Sequence, residues 1–252
     1  MAISRQQLAK ELEPGLNALF GLEYKQYENQ HLEIFDKENS DRAFEEEVML
    51  SGFGEAAVKP EGSGVQYDDA NESFTARYTH ETIALAFSIT EEAVEDNLYD
   101  SIAKRYTKAL ARSMAQTKQI KAANILNNGF SSGTGGDSQY LLDTDHPTIA
   151  APSGLANEPS TAADLNETSL EAGLINIGNF KDERGFKIAA RGMKLIIPAD
   201  LQFTAERLTK SSQRVGTADN DINATKNMGM IPQGYTVNNF LTDTDAWFIK
   251  TD

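Results

Sequence analysis

The chain has 252 residues, a net charge of −15 and no cysteine, and 40% of its residues are hydrophobic. This composition predicts a soluble globular protein of one large domain or two modest ones. The missing cysteines exclude disulfides, thiolate metal sites and cysteine nucleophiles. The negative charge disfavours tight binding of nucleic acid, since that binding depends on Lys and Arg displacing counterions. No apolar run approaches the ~20 residues of a membrane span, and residues 1–12 lack a signal-peptide core.

The first 42 residues predict a short helix and then an extended arm. Residues 4–22 are amphipathic, and Pro14 and Gly15 favour a break into two helical pieces. Residues 24–42 are polar and charged apart from a small apolar island at 32–35. This pattern is typical of an arm that lies on another surface.

Two β-rich segments, 47–58 and 73–90, flank a polar connector that predicts a hairpin. The connector, residues 59–71, contains Pro60, Gly62, Gly64 and several acids, which favours a turn between two antiparallel strands. A projecting hairpin buries little of its own surface. It is therefore most useful where a neighbouring molecule covers it.

The clearest predicted element is a long helix over residues 91–128. Thr90 is a good N-cap, acids follow in the first turn, and Asn128-Gly129 ends the helix. Its large apolar residues recur every four positions: Val94, Leu98, Ile102, Tyr106, Leu110 and Met114. At ~1.5 Å per residue its length would be roughly 55 Å, more than the diameter of a small domain. The rhythm lacks a strict heptad, which favours a spine helix over a coiled coil.

The rest of the chain predicts a mixed α/β region. The predicted elements are a helix at 164–180, a buried strand at 192–198, a helix at 199–211, a polar mobile loop at 216–229, and short strands at 235–241 and 246–251. The last strand needs a partner, either elsewhere in the fold or in a continuation of the chain past Asp252.

Candidate chemistry is sparse. The three histidines, His31, His80 and His146, are far apart in sequence and lack metal-binding spacing, so we assign them surface or packing roles. Asp143-Thr144-Asp145-His146 could hold a cation, but a polar turn is the better interpretation.

Residues 219–223 imitate the start of a calcium loop. However, the sixth and twelfth positions hold Ala224 and Met230 in place of Gly and Glu. Phosphate-binding glycine motifs and a GxSxG elbow are missing, and nothing in the sequence positions a carboxylate pair. We therefore assign no catalytic, cofactor-binding or metal-binding residue, and predict that the chain is not an enzyme.

The order of the elements resembles the Hong Kong 97-type capsid fold of tailed phages. Several stretches are also similar to a major head protein group of phages and prophages: LEPGLN (12–17), FEEEV (44–48), ARYT (76–79), TEEA (90–93) and LIIP (195–198). The resemblance implies an α+β fold with an N-terminal arm, an extended β-hairpin loop, a long spine helix, and peripheral and axial domains.

The resemblance also implies how the chain is divided. The expected parts are an N-terminal arm (1–45), an extended loop over a neighbouring subunit (46–89), a peripheral domain with the spine helix (90–139), an axial domain (140–235) and return strands of the peripheral domain (236–252). Relatives usually add further strands to that last sheet. Some relatives also join subunits through a Lys–Asn isopeptide bond. The hairpin offers Lys59, but no Asn partner or acidic catalyst is assignable.

The expected function is that of a major capsid protein, which self-assembles into the icosahedral head shell around double-stranded phage DNA. Its expected partners are copies of itself in pentamers and hexamers, scaffold, portal and decoration proteins, and packaged DNA contacted non-specifically. The expected location is the virion, after assembly in the host cytoplasm. One alternative is an encapsulin-like compartment with the same fold. The other is an acidic hydrolase, which would need a deep pocket with convergent acids.

Overall fold

The computed structural model describes residues 5–88, 99–152, 154–214 and 221–252. The chain divides into two compact units. The first, which we call the helical unit, comprises Met1–Glu33 and Glu81–Ala122. The second, the mixed unit, comprises Ile34–His80 and Ala123–Asp252.

The helical unit contains α1 (Arg5–Gln26), a 3-10 turn (Gln30–Glu33) and most of α2 (Tyr99–Asn127). The predicted break at Pro14-Gly15 is wrong, because α1 runs through both residues as one helix. Proline removes one backbone donor, and the helix continues on both sides of that position. The start of the predicted long helix, including Thr90 and Val94, lies outside the described residues.

The four-residue rhythm of large apolar side chains does not mark the buried face of α2. Ile102 and Tyr106 are exposed. The buried positions on the helix are mostly small or polar: Ala103, Thr107, Ala111, Ala115, Gln119 and Ala123. Small side chains allow a close approach of neighbouring backbone.

Polar contacts in the helical unit connect α2 to α1 and to the segment that follows α1. Gln119 accepts a bond from the His31 N–H at 3.1 Å and donates to the carbonyl of Glu28 at 3.0 Å. Lys108 forms an ion pair with Glu23 at 2.6 Å. The first part of the predicted arm is therefore not extended, since residues 24–26 belong to α1 and Gln30–Glu33 form the 3-10 turn.

The mixed unit contains a three-stranded sheet in the order β4-β3-β5. Its central strand is β3 (Gly192–Ile197), which pairs in parallel with β4 (Tyr235–Val237) and antiparallel with β5 (Phe248–Thr251). The predicted buried strand is confirmed, and Leu195 and Ile197 are fully buried. The two short C-terminal strands flank β3 and do not pair with each other.

Helices α3 (Glu167–Gly178), α4 (Gln202–Lys210) and α5 (Ala224–Asn227) accompany this sheet. Asn166 caps α3 in a capping box with Ser169. One core cluster comprises Leu165, Leu170, Leu174, Leu195, Ile197, Ala205 and Ile231, and a second comprises Ile34, Leu126, Ile196 and Phe248. Of the predicted mobile loop 216–229, residues 216–220 lie outside the described residues and 224–227 form α5.

A separate antiparallel hairpin also belongs to the mixed unit. It joins β1 (Phe44–Leu50) to β2 (Glu72–Thr79) with Phe44 opposite Thr79 and a bulge between Val48 and Leu50. The predicted hairpin is confirmed, but its strands are shorter than expected. The ladder ends at the pair of Phe44 and Thr79, and the His80 N–H bonds to the Ala43 carbonyl just beyond it. Within the described residues, no helix has the length and apolarity required to cross a membrane.

Candidate assembly surfaces

The hairpin carries an unusual amount of exposed apolar surface. We call residues 51–71, between the two strands, the hairpin loop. The large exposed apolar side chains of β1 and the loop are Phe44, Val48, Met49, Leu50, Phe53, Val58, Val65 and Tyr67. Val58 is 94% exposed and Tyr67 is 98% exposed. Single exposed apolar residues are ordinary, but many of them along one hairpin indicate a surface that binds another protein.

The two ends of the hairpin loop, residues 51–54 and 68–71, are joined by hydrogen bonds, and we call them the hairpin neck. Ser51, only 1% exposed, donates its N–H to the Asn71 carbonyl at 2.9 Å, and its hydroxyl accepts the Asn71 N–H at 3.0 Å. Further out, Gly54 donates to the Asp68 carboxylate at 2.6 Å. This bond lowers the pKa of Asp68, and the Asp69 N–H and the Arg184 charge act in the same direction against desolvation.

The two strands of the hairpin contact each other and the glycine-rich turn that follows α2, residues 131–137. Arg77 of β2 forms an ion pair with Glu46 of β1 at 2.5 Å and lies 4.5 Å from the ring centre of Phe44. A Cβ on Gly136 would lie 2.8 Å from the Thr75 carbonyl carbon and oxygen. Only glycine allows the turn to approach β2 so closely.

A second apolar surface lies in the helical unit. Ile102, Tyr106 and Ile120 of α2 are exposed, as is Leu85. Phe87 packs on Tyr106 with ring centroids 6.0 Å apart, and Lys121 forms an ion pair with Glu81. The segment after residue 80 therefore lies beside α2 and leaves large apolar side chains in contact with solvent.

The histidines do not form a site. His31 is buried in the helical unit against α2. His80 donates its N–H to the Ala43 carbonyl at 3.2 Å at the end of the hairpin. His146 bonds through Nδ1 to Asp137 at 2.6 Å. Each histidine thus lies in a different local structure, and the three do not contact one another.

The turn at 143–146 contains a pair of interacting carboxyl groups. A hydrogen bond with Asp143 raises the pKa of Asp145, while the Thr144 N–H lowers that of Asp143. Burial and the Asp143 charge raise the pKa of Glu158. No group of three or more His, Cys, Asp or Glu with metal-binding geometry occurs among the described residues.

The calcium-loop candidate is not supported by the residues that are described. Asp219 lies outside them. Asn223 instead caps α5 by accepting the Lys226 N–H at 3.2 Å, and it donates to the Leu208 carbonyl at 2.8 Å. Its side chain therefore serves the local fold.

A shallow cavity of about 300 Å³ lies where α3 meets α4. It is lined by Leu165, Asn166, Glu167, Thr168, Thr204, Arg207, Leu208, Arg214 and Asn223. Its one carboxylate, Glu167, is paired with Arg214 at 2.6 Å. The convergent acids that the hydrolase alternative requires are not in this cavity.

Sequence patterns alone did not identify the residues that hold the hairpin. The segment at 182–185 has the Asp and Gly spacing of a turn, but its Arg184 bonds to Gly52 and Asp69, which lie more than 100 positions away in sequence. The local periodicity of apolar residues cannot predict a contact between residues so far apart in the sequence.

Comparison with known proteins identifies the family. A family profile described as phage capsid protein matches residues 73–252. The fold is similar to a chain of the bacteriophage JBD30 procapsid, with a TM-score of 0.63 and 14% identity over 95% of this chain and 100% of that chain. The bacteriophage JBD30 capsid gives a TM-score of 0.59 and 13% identity over 81% of this chain and 88% of that one.

The JBD30 capsid decorated with minor capsid protein trimers gives a TM-score of 0.58 and 14% identity, over 96% of this chain and 100% of that chain. No curated protein matches the chain in sequence. The family profile covers well over half of the chain, and the similar structures extend the shared fold to almost all of it. The chain therefore belongs to the phage capsid protein family and is a major capsid protein that forms the shell of a phage head.

Proposed function

We propose that the chain assembles with copies of itself, as pentamers and hexamers, into an icosahedral shell around double-stranded phage DNA. The observation that carries this proposal is the exposed apolar surface of the hairpin loop. Its side chains are exposed in the single chain, and a neighbouring subunit that packs on the loop would bury them. A closed symmetric shell uses one such contact many times, so each contact can be weak.

The size of the apolar contribution supports assembly. Burying one large apolar side chain contributes about 1.5–3 kcal/mol. Phe53, Val58, Val65 and Tyr67 of one loop could together contribute about 6–12 kcal/mol as an upper figure. Association itself costs an estimated 4–15 kcal/mol. One loop is therefore marginal by itself, and the repetition of contacts around a ring makes the shell stable.

We further propose the Hong Kong 97-type division of the chain: arm 1–45, extended loop 46–89, peripheral domain 90–139, axial domain 140–235 and return strands 236–252. The β1–β2 hairpin supports the extended loop, and the 29-residue described part of α2 supports the spine helix. The net charge of −15 disfavours tight binding of the packaged DNA, which could therefore slide within the shell.

Additional partners and the place of assembly belong to the same proposal. Minor capsid protein trimers decorate the similar JBD30 capsid, which supports a decoration protein as a partner here. We extend the proposal to a scaffold and a portal, and place assembly in the host cytoplasm and the finished shell in the virion.

The test replaces apolar side chains of the loop. We expect the Val58→Ala/Tyr67→Ala double variant to fold like wild type, because both side chains are almost fully exposed, and to form few or no large particles. Sedimentation velocity and electron microscopy report the particles. Tyr67→Phe, which keeps the apolar area, is the matched control and should assemble. Normal assembly of the double variant would contradict the proposal.

The contents of the particles separate this proposal from an encapsulin-like compartment. Phage heads filled during infection should contain double-stranded DNA and absorb strongly at 260 nm. Particles from infected cells that hold only protein would favour the compartment alternative.

A further inference from the structure

A short rigid turn in the mixed unit lies against the hairpin neck. Asp182 organises this turn, since its carboxylate accepts the N–H groups of Arg184 at 3.0 Å and Phe186 at 2.7 Å. Gly185 takes φ +88°, a conformation that favours glycine. Glu183 is buried and its carboxylate accepts the Ile149 N–H at 3.2 Å. The backbone of Arg184 is therefore held on both sides.

The Arg184 side chain bridges the two sides of the neck. Its Nε donates to the Gly52 carbonyl at 3.0 Å, and its Nη2 donates to the Asp69 carbonyl at 2.6 Å. Gly52 lies near the start of the hairpin loop and Asp69 lies near its end, so the side chain connects the two sides. A guanidinium suits this role because its donors lie in one rigid plane and stay charged.

Arg184 acts where the backbone ladder has ended. The Ser51–Asn71 pair lies on the strand side of the bridge, and the Gly54–Asp68 bond lies on the loop side. Gly52 and Gly54 lack side chains that could stiffen this part of the chain. The guanidinium thus supplies a cross-strand connection at the point where the hairpin loop would otherwise bend.

We propose that Arg184 is a positioning residue for shell assembly, which fixes the direction in which the hairpin loop meets the next subunit. This inference rests on the proposed function of the loop. A loop held in its bound direction loses less conformational freedom on association, so preorganisation favours assembly. Arg184 need not touch the neighbouring subunit itself.

A distance measurement on free subunits tests the positioning. The chain has no cysteine, so Glu61→Cys in the loop and Ser132→Cys after α2 can carry spin labels specifically. In the protein that keeps Arg184, double electron–electron resonance should give a narrow distribution of distances between the two labels. Arg184→Gln should broaden that distribution clearly. An equally narrow distribution in Arg184→Gln would overturn the proposal.

Arg207→Gln is the matched control, because it removes the same charge from a residue that bonds Thr204 on its own helix. This control should keep the narrow distribution. If Arg184→Gln does not fold, the same distance measurement on Arg184→Lys tests the proposal instead. Lysine keeps the charge but not the planar pair of donors, so we expect intermediate broadening, and wild-type behaviour of Arg184→Lys would then refute the proposal.

Assembly gives the functional measurement. Loss of the bridge frees the loop before association, so Arg184→Gln should raise the critical concentration for particle formation by about tenfold. Thermal unfolding of the free subunit should stay near wild type. An unchanged critical concentration would contradict the proposal. If the wild-type protein forms no particles, the proposed function fails, while the distance measurement still decides the role of Arg184.

Discussion

Gly136→Ala should disrupt the packing of the glycine-rich turn against β2. The structure allows us to estimate the resulting loss in the free energy of unfolding. The added Cβ would lie 2.8 Å from the carbonyl carbon and oxygen of Thr75 and 3.0 Å from the Ala76 nitrogen. Real Cβ atoms do not approach backbone this closely. Because the obstructing atoms are backbone, β2 or the turn must move.

The expected change in the free energy of unfolding is the penalty for overpacking minus the gain from a less flexible unfolded chain. Overpacking costs about 1–3 kcal/mol, and replacing glycine stabilises by about 0.4–1 kcal/mol through the unfolded chain. The net destabilisation should be about 1–2 kcal/mol, which lowers the melting temperature by about 2–8 °C in a chain of this length.

Thermal unfolding of free subunits by circular dichroism measures this effect. Gly64→Ala is the matched control, because an added Cβ there meets nothing within 4 Å. The control should melt at the wild-type temperature or slightly above it. If Gly136→Ala melts at or above Gly64→Ala, the close approach of turn and strand is refuted.

Three further predictions concern the mixed unit. Leu170→Ala, at a fully buried position, should cost about 2–5 kcal/mol of unfolding free energy, whereas Ile175→Ala, on the exposed face of α3, should stay within about 0.5 kcal/mol; denaturant titration checks both. Asn127→Ala should cost about 1–3 kcal/mol in the same assay, because Asn127 donates to the Phe240 carbonyl at 3.1 Å and accepts the Thr242 N–H at 3.0 Å. The Glu206 carboxylate raises the pKa of Tyr235 by hydrogen bonding, so the stability from this phenol is present below its unfolded pKa and is lost as pH rises through the folded pKa. Glu206→Gln should lower the pKa of Tyr235 in an NMR titration, and an unchanged value would show that the 2.8 Å bond is not formed in solution.

The core of the mixed unit was predictable because its signals are local. The spacing of Leu165, Leu170, Leu174 and Ile177 predicts one apolar face, and all four are buried. The run from Gly192 to Ile197 predicts a buried strand and forms β3. In both segments, the large apolar side chains pack within the same chain, so periodicity and burial agree.

The buried face of α2 was not predictable from the same kind of signal. Its large side chains Ile102 and Tyr106 are exposed, and Ala103 and Ala111 are fully buried. A shell protein must keep apolar side chains for contacts between subunits as well as for its own core, and sequence periodicity does not distinguish these uses. Small residues buried by close approach give a weak hydropathy signal.

Long-range contacts explain the remaining differences between the predicted and the observed hairpin. The strands of the hairpin stop at Leu50 and Thr79 because pairing depends on the facing strand and not on β propensity alone. The bridge from Arg184 to Gly52 and Asp69 depends on the folded positions of three distant segments. The general hairpin was therefore predictable, but its support was not.

Electron microscopy of particles formed by the purified full-length chain tests the central claim most directly. We expect closed icosahedral shells in which the hairpin loop of each subunit lies against a neighbour and Val58 and Tyr67 are covered. A chain that remains monomeric at all protein and salt concentrations, even with a scaffold protein added, would contradict this account. Closed shells in which the hairpin loop still projects into solvent would contradict its assembly role.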